Sequence, residues 1–509
     1  MNESKTYDFV IIGSGIGGLE CAHILASEGN SVIVLEKNHQ IGGNLQVFSR
    51  DKCIFDTGVH YIGSLNEGEC LNQFFKYFDL LDTLKWKRMD EDCFDMIRFA
   101  DGKEYKYGQG YDQFKKNLKN DFPNEHKAID NYCTKLQEIC EMFPLYNLKN
   151  SQAENYLMDE DLLSANAAEY ISSITEDIRL RAVLAGNNPL YAGVESKSPL
   201  YVHALISNSY IQGSYRLKDG SSQIVKKLTK SIRNFGGEVV KRAKVVGANY
   251  NDNKHIEEVV LENGDTVKGK NFISNVHPAV SIDIFGEKRF LKAYRNRVRG
   301  LENTISTFIV HLVFKKESFK QLNYNIYQHN DENVWSGADY NDENWPKNFF
   351  ISTPATSKSD EYAESMSIMG YMKYDDVKQW ATSSNTIASP GERGDGYEEF
   401  KREKEEKIIQ KLEEIYPDIR SKIKSVHSSS PLTFRDYIGD SEGSLYGILK
   451  DSNYPLRSLI NSNTKVPNLY FTGQNLILHG ILGATIGAFV TCFNFIDKDY
   501  LLNKITSIK

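Results

Sequence analysis

Cysteine is scarce in this chain: seven in 509 residues (Cys21, Cys53, Cys70, Cys93, Cys133, Cys140 and Cys492), odd in number and with no CxxC pair. That spacing gives neither a zinc site nor a disulfide framework, so reduced thiols in a cytoplasmic protein are expected. Excess positive charge is missing too. With 61 Lys and Arg against 68 Asp and Glu, the net charge is −7, which leaves no electrostatic footprint for nucleic acid. The opening "MNESKTYD" lacks the basic region and apolar stretch of a signal peptide. The longest apolar run, Gly480–Ile496, falls short of the ~20 residues a membrane span needs and contains Thr and Asn. Neither a G-x-S-x-G elbow nor an H-E-x-x-H motif occurs, and no metal is expected.

What is present begins at once. Tyr7–Ile12 is a short apolar run suited to a buried parallel strand. Gly13, Gly15 and Gly18 follow in GxGxxG spacing, Leu19–Glu28 reads as a helix, and Ser31–Glu36 reads as the next strand. This is the βαβ context that makes the motif a dinucleotide site. The first glycine permits the turn, the second lets backbone approach a pyrophosphate, and the third lets helix and strand pack closely. The helix start favours phosphate charge, and Glu36 can accept hydrogen bonds from a ribose.

A bare Rossmann unit does not separate NAD from FAD. Two features favour FAD. The Gly42–Gly43 doublet, with Asn44 after it and Lys37 beside Glu36, stands where backbone can cross the same pyrophosphate. Far along the chain, Leu469–Thr472 reads as a strand and Gly473 as a turn. Gln474 follows, positioned to bond a ribityl chain or pyrophosphate. The helix beyond carries Gly480, Gly483, Ala484, Gly487 and Ala488 on one face, which clears a surface for a flat ring or for close packing. No second GxGxxG appears, so an electron donor is expected to be NAD(P)H bound transiently or another protein.

Between these ends, "DGSSQIVKKLTKSIRNFGGEV" reads as a helix capped by Ser221 or Ser222. Short strands follow, ending in a returning strand, "NFIS". The segment Ser306–Phe314 reads as another strand. The expected fold is α/β: a Rossmann-like FAD-binding domain in three parts (1–65, 216–280 and 426–509), with an α+β substrate domain inserted as 66–215 and 281–425.

The blocks "EKNHQIGG", "FDTGVHYIG" and "YFTGQ" resemble the FAD-dependent family of phytoene desaturases, carotenoid isomerases and retinol saturases. The segments His203–Leu228, Phe350–Asp360 and Ser430–Ile448 are similar to its retinol saturase branch in particular. The resemblance implies a glutathione-reductase-like fold, a backbone contact to adenine at Val245, and a reaction on a C=C bond of an apolar polyene or prenoid such as a retinoid or carotenoid. Hydride would go to one carbon of a conjugated bond and a proton to the other. A cis–trans isomerase and a desaturase are the rival enzymes. A lipid-binding protein that has lost turnover is the rival from another class.

Candidate catalytic residues lie on segments placed near the flavin. Gly58 in "DTGVHYIG" allows close approach, and His60 and Tyr61 are candidate ring contacts or proton donors. His60 is equally readable as a structural histidine bonded to backbone. His479, before the small-residue helix, is the second candidate. His203, Tyr210 and Tyr215, with Tyr446 further on, are candidate substrate residues, against the plainer reading of aromatic core. An apolar substrate usually arrives from a membrane, and peripheral contact is expected through apolar parts of residues 66–200, such as "ICEMFPLYNL" (Ile139–Leu148).

Overall fold

The computed structural model describes residues 5–148 and 159–508, and two seven-stranded sheets organise them. In the first, Glu238–Val240, Val32–Leu35, Thr6–Ile12 and Thr266–Ser274 run parallel in that order. The long strand Thr266–Ser274 is shared. Its last residues, Phe272–Ser274, pair in parallel with Leu469–Phe471, and its first, Thr266–Lys268, pair with the antiparallel meander Ile256–Leu261 and Val245–Tyr250. Apolar runs such as "FVII" suit strands buried on both faces, and Val10, Ile11 and Val32–Val34 are fully buried.

The helix Ile16–Ser27 starts directly after the glycine turn. A side chain at Gly18 would run into the carbonyl oxygen of Gly13, so helix and strand touch through backbone there. The helix Gly480–Cys492 lies against it, joined by a Thr485 hydroxyl donated to the buried Glu20 carboxyl at 2.9 Å. Burial pushes that carboxyl well above the usual range, which favours its neutral form.

The second sheet has the order Ile423–Ser429, Ser306–Phe314, Ser365–Met372, Asn348–Ser352, Asn325–His329, Asp95–Phe99, Glu104–Tyr107. All nine residues of Ser306–Phe314 are buried, as a central strand requires. The strand Ile423–Ser429 straddles the boundary expected at 425/426 and belongs to this second sheet. A small sheet of Ile62–Gly63, Ser214–Leu217 and Trp86–Arg88 sits beside the helix Leu200–Gln212.

Two expectations are corrected. The helix Ser222–Asn234 has Ser221 at its start, but the Ser221 hydroxyl donates to Asp56 at 2.6 Å instead of capping the helix. In the proposed membrane segment, Ile139, Cys140, Phe143, Leu145 and Tyr146 are buried and Met142 alone of its large apolar side chains is well exposed. Its apolar residues serve the core. Among the described residues, no helix is long and apolar enough to cross a membrane.

The Gly18 contact yields a test. Gly18→Ala should cost about 1–3 kcal/mol of stability by overpacking and lower the Tm. Gly247→Ala, where an added Cβ meets nothing within 4 Å, should leave the Tm unchanged.

Candidate active site

The carboxyl ends of the parallel strands open onto a cavity of about 630 Å³, the place where open α/β sheets bind ligands. Its first wall is the glycine turn, Ile12–Gly17. Glu36, at the end of the neighbouring strand, organises this wall. Its Oε2 accepts from the Ser14 N–H at 3.0 Å and the Ser14 hydroxyl at 2.5 Å, and its Oε1 accepts from the Asn38 N–H at 2.8 Å. The Ser14 hydroxyl oxygen in turn accepts from the Gly42 N–H at 3.0 Å. One carboxylate thus ties the turn to the Gly42–Gly43 doublet. It keeps roughly one of its four acceptor positions for a ligand hydroxyl. A Cβ on Gly43 would lie 3.1 Å from the Gly15 Cα, so the two glycine segments abut.

The second wall comes from the far end of the chain. A Cβ on Gly17 would come within 2.9 Å of the Gly473 Cα, and the Asn275 amide sits among Gly15, Gly17 and Gly473. The stretch after Gly473 is braced from behind by Lys450. Its buried ammonium donates to the carbonyls of Ser458 (3.0 Å), Asn475 (3.2 Å) and Leu476 (3.0 Å), and burial lowers its pKa to about 7. His479 then precedes the helix Gly480–Cys492, whose first turn lines the cavity.

Of the residues singled out from sequence, Gly13, Gly15, Glu36, Lys37, Gly42, Gly43, Asn44, Gly58, Val245, Gly473 and Gln474 all line this cavity. So do His60, Tyr61, Tyr210, Tyr446 and His479. Tyr61 and Tyr210 pack ring against ring at 4.4 Å, and His479 stacks on Tyr446 at 5.6 Å between centroids. Burial pushes the His60 imidazole down to about 4 and that of His479 to about 3, so both are neutral at neutral pH and neither stores a proton for donation. Both His479 nitrogens, and Nε2 of His60, are buried without a protein partner among the described residues. Buried polar atoms normally have partners, so these nitrogens are free to bond a water or ligand in the cavity they line.

Four residues lie elsewhere. Gly18 serves the helix–strand contact described above. A side chain at Gly483 would strike the Leu478 carbonyl, so this glycine packs its own helix start and does not line the cavity. His203 is a buried structural histidine, held between the hydroxyls of Tyr132 (2.7 Å) and Tyr191 (2.9 Å). Tyr215 sits in the small sheet with its hydroxyl on the Asn66 side-chain oxygen at 2.6 Å.

The sequence model of a family described as "Flavin containing amine oxidoreductase" matches residues 16–486. The chain belongs to that family. Membership gives the cofactor as a flavin, and the residues fit FAD, its dinucleotide form: a glycine turn and a glycine doublet packed backbone to backbone, an acid after the second strand, and a continuous cavity leading to imidazole nitrogens with no protein partner among the described residues. The enzyme is an FAD-dependent oxidoreductase. Among curated relatives, the chain is 28% identical over 533 residues to the all-trans-retinol 13,14-reductase of Danio rerio, covering 95% of this chain and 85% of that one. It is 23% identical over 496 residues to the chloroplastic prolycopene isomerase of Daucus carota (93% and 77%). Among solved structures, cyclohexylamine oxidase from Brevibacterium oxydans shares the fold of this flavoprotein family member with a TM-score of 0.59 at 14% identity, over 99% of each chain.

Sequence reasoning missed Asn275, Tyr327, Tyr371 and Lys450. Asn275 was findable: it follows the strand beside Thr6–Ile12, just where Gly13 follows its own. The others come from the second sheet or from behind the cavity, with no local motif.

Two outcomes follow from the braces. Glu36→Ala strands the Ser14 and Asn38 donors, each costing about 1–3 kcal/mol, and should weaken flavin retention at least about tenfold, read as flavin absorbance per chain after gel filtration. For Lys450, the unfolded chain binds the extra proton between about pH 7 and the ordinary lysine value near 10.4, so the native fold gains stability as pH rises through that window. Lys450→Met should flatten this part of the stability–pH curve in urea titrations.

Proposed function

We propose that this flavoprotein reduces a conjugated C=C bond in an apolar polyene or prenoid, with all-trans-retinol as the first substrate to test. The observation that carries the reading is the inner wall of the cavity. The second sheet and the helix Leu200–Gln212 contribute Tyr210, Tyr327, Phe349, Phe350, Met369 and Tyr371, and no residue that those two elements place in the lining is charged. Such a wall binds a flat apolar chain and offers no carboxylate to a protonated amine. Similarity to the retinol reductase over nearly the whole chain supports the same reading.

FAD, when bound, supplies hydride transfer. Gly13, Gly15, Gly42, Gly43 and Asn44 are assigned to its pyrophosphate, Glu36 and Lys37 to the ribose end, Val245 to the adenine, Gly473 and Gln474 to the ribityl chain or pyrophosphate, and Gly58 to the ring side. The aromatic wall orients the substrate and excludes water, while Tyr61 and the imidazole of His60 face the reacting region. The electron donor is external, NAD(P)H or a protein. Isomerisation without net reduction is the second reading, favoured by the similarity to a prolycopene isomerase.

Anaerobic mixing of the reduced protein with all-trans-retinol decides between them. Flavin reoxidation with a product two hydrogens heavier is the expected outcome. A flavin that stays reduced rejects retinol reduction, and an isomer of unchanged mass would establish the second reading.

A further inference from the structure

The proposed reduction needs a proton as well as a hydride, and burial holds the imidazoles of His60 and His479 neutral. Behind the cavity wall lies a buried acid. Asp95, the first residue of Asp95–Phe99, is completely inaccessible to solvent. Its Oδ1 accepts from the Asn325 amide at 2.9 Å, and its Oδ2 from the Tyr61 hydroxyl at 2.9 Å. The Tyr61 hydroxyl is 2.7 Å from that of Tyr327. Both tyrosines line the cavity, and the Tyr327 hydroxyl has no other protein partner among the described residues.

We propose that Asp95, Tyr61 and Tyr327 form a proton wire that opens into the substrate cavity, with Asp95 as the proton store and Tyr327 as the donor to substrate. This rests on the reductase reading above.

The geometry allows two states of the wire. With Asp95 ionised, Tyr327 donates to Tyr61 and Tyr61 to Oδ2. With Asp95 protonated, every bond reverses: Oδ2–H donates to Tyr61, Tyr61 to Tyr327, and the Tyr327 O–H is left pointing onward with no protein acceptor. A phenol never has to lose its proton outright, which suits tyrosines that burial keeps well above their ordinary pKa.

The acid is kept switchable by what surrounds it. The groups facing it are Arg216, Tyr61, Tyr327, Tyr107, Tyr210 and the Cys93 thiol. Arg216 is the one cation among them, and it does not touch the carboxylate. It donates to the Asn325 side-chain oxygen at 2.8 Å, and Asn325 donates to Asp95. The amide thus spaces guanidinium from carboxylate, where a direct ion pair would pin Asp95 as an anion. Burial raises the Asp95 carboxyl to about 7, against the lowering effect of Asn325, Tyr61 and Arg216.

In the step itself, the hydride that bound FAD would supply goes to one carbon of the double bond, which leaves an electron pair on the other. That pair forms a C–H bond as the Tyr327 O–H bond breaks. Tyr327 takes the Tyr61 proton, Tyr61 takes the Asp95 proton, and Asp95 is left as carboxylate. After product leaves, water entering the cavity returns a proton along the same wire.

The test uses the FAD-loaded full chain and two readouts. Infrared difference spectra between about pH 5 and pH 9 should show the carbonyl band of a buried protonated carboxyl that disappears with a midpoint near neutrality, and Asp95→Asn should remove it. A spectrum with no such band, or one unchanged in Asp95→Asn, overturns the proposal whatever the protein does to retinol. In anaerobic turnover, Tyr327→Phe should lower kcat for all-trans-retinol by about 10²-fold or more with KM, flavin content and dithionite reduction unaltered. An unchanged kcat in Tyr327→Phe overturns Tyr327 as donor. If the wild type leaves retinol untouched, the reductase reading fails on that substrate, and the infrared arm still decides the wire.

Discussion

The strand Thr266–Ser274 is the member on which the rest of this structure depends. It pairs with the opening strand along one edge and divides the other between the meander and the last strand of the sheet. That single pairing pattern brings Gly17 against Gly473, residues from opposite ends of the chain, with Asn275 between them. Without a side chain on either glycine, backbone meets backbone, and the two walls of the cofactor cradle become one surface.

A second constraint is the suppression of charge around the inner cavity. Burial holds imidazoles neutral and phenols protonated, so the side chains nearest the apolar wall carry dipoles in place of net charges. A neutral wall welcomes a hydrocarbon chain without a desolvation penalty. It also moves the titratable group one layer outward, where the hydrogen-bonded spacer Asn325 governs its proton.

The legible part of the molecule was its local grammar. GxGxxG, the acid at Glu36 and the Gly42–Gly43 doublet announce themselves because backbone close approach demands glycine at fixed offsets, and all of them but Gly18 line the cavity. The returning strand at 271–274 and the central strand at 306–314 could be read for the same reason: runs buried on both faces are continuous and apolar. Tyrosine and histidine roles were not legible. His203 and Tyr215 sit in a segment that resembles relatives, yet their partners, Tyr132, Tyr191 and Asn66, are distant or unmarked in sequence. Tyr327 and Asp95 reach the site through a sheet whose strand order follows no local signal, and no spacing rule joins residues 61, 95 and 327.

The shared strand also has a consequence for how the protein is made. Its partner Leu469–Phe471 is synthesised roughly 200 residues after it, which at ~5–20 residues per second leaves the strand edge at Phe272–Ser274 bare for about 10–40 s on each nascent chain. An unpaired apolar edge is a template for wrong pairing. The two glycine walls meet only when Gly473 arrives, so throughout that interval nothing from the far end of the chain covers the edge.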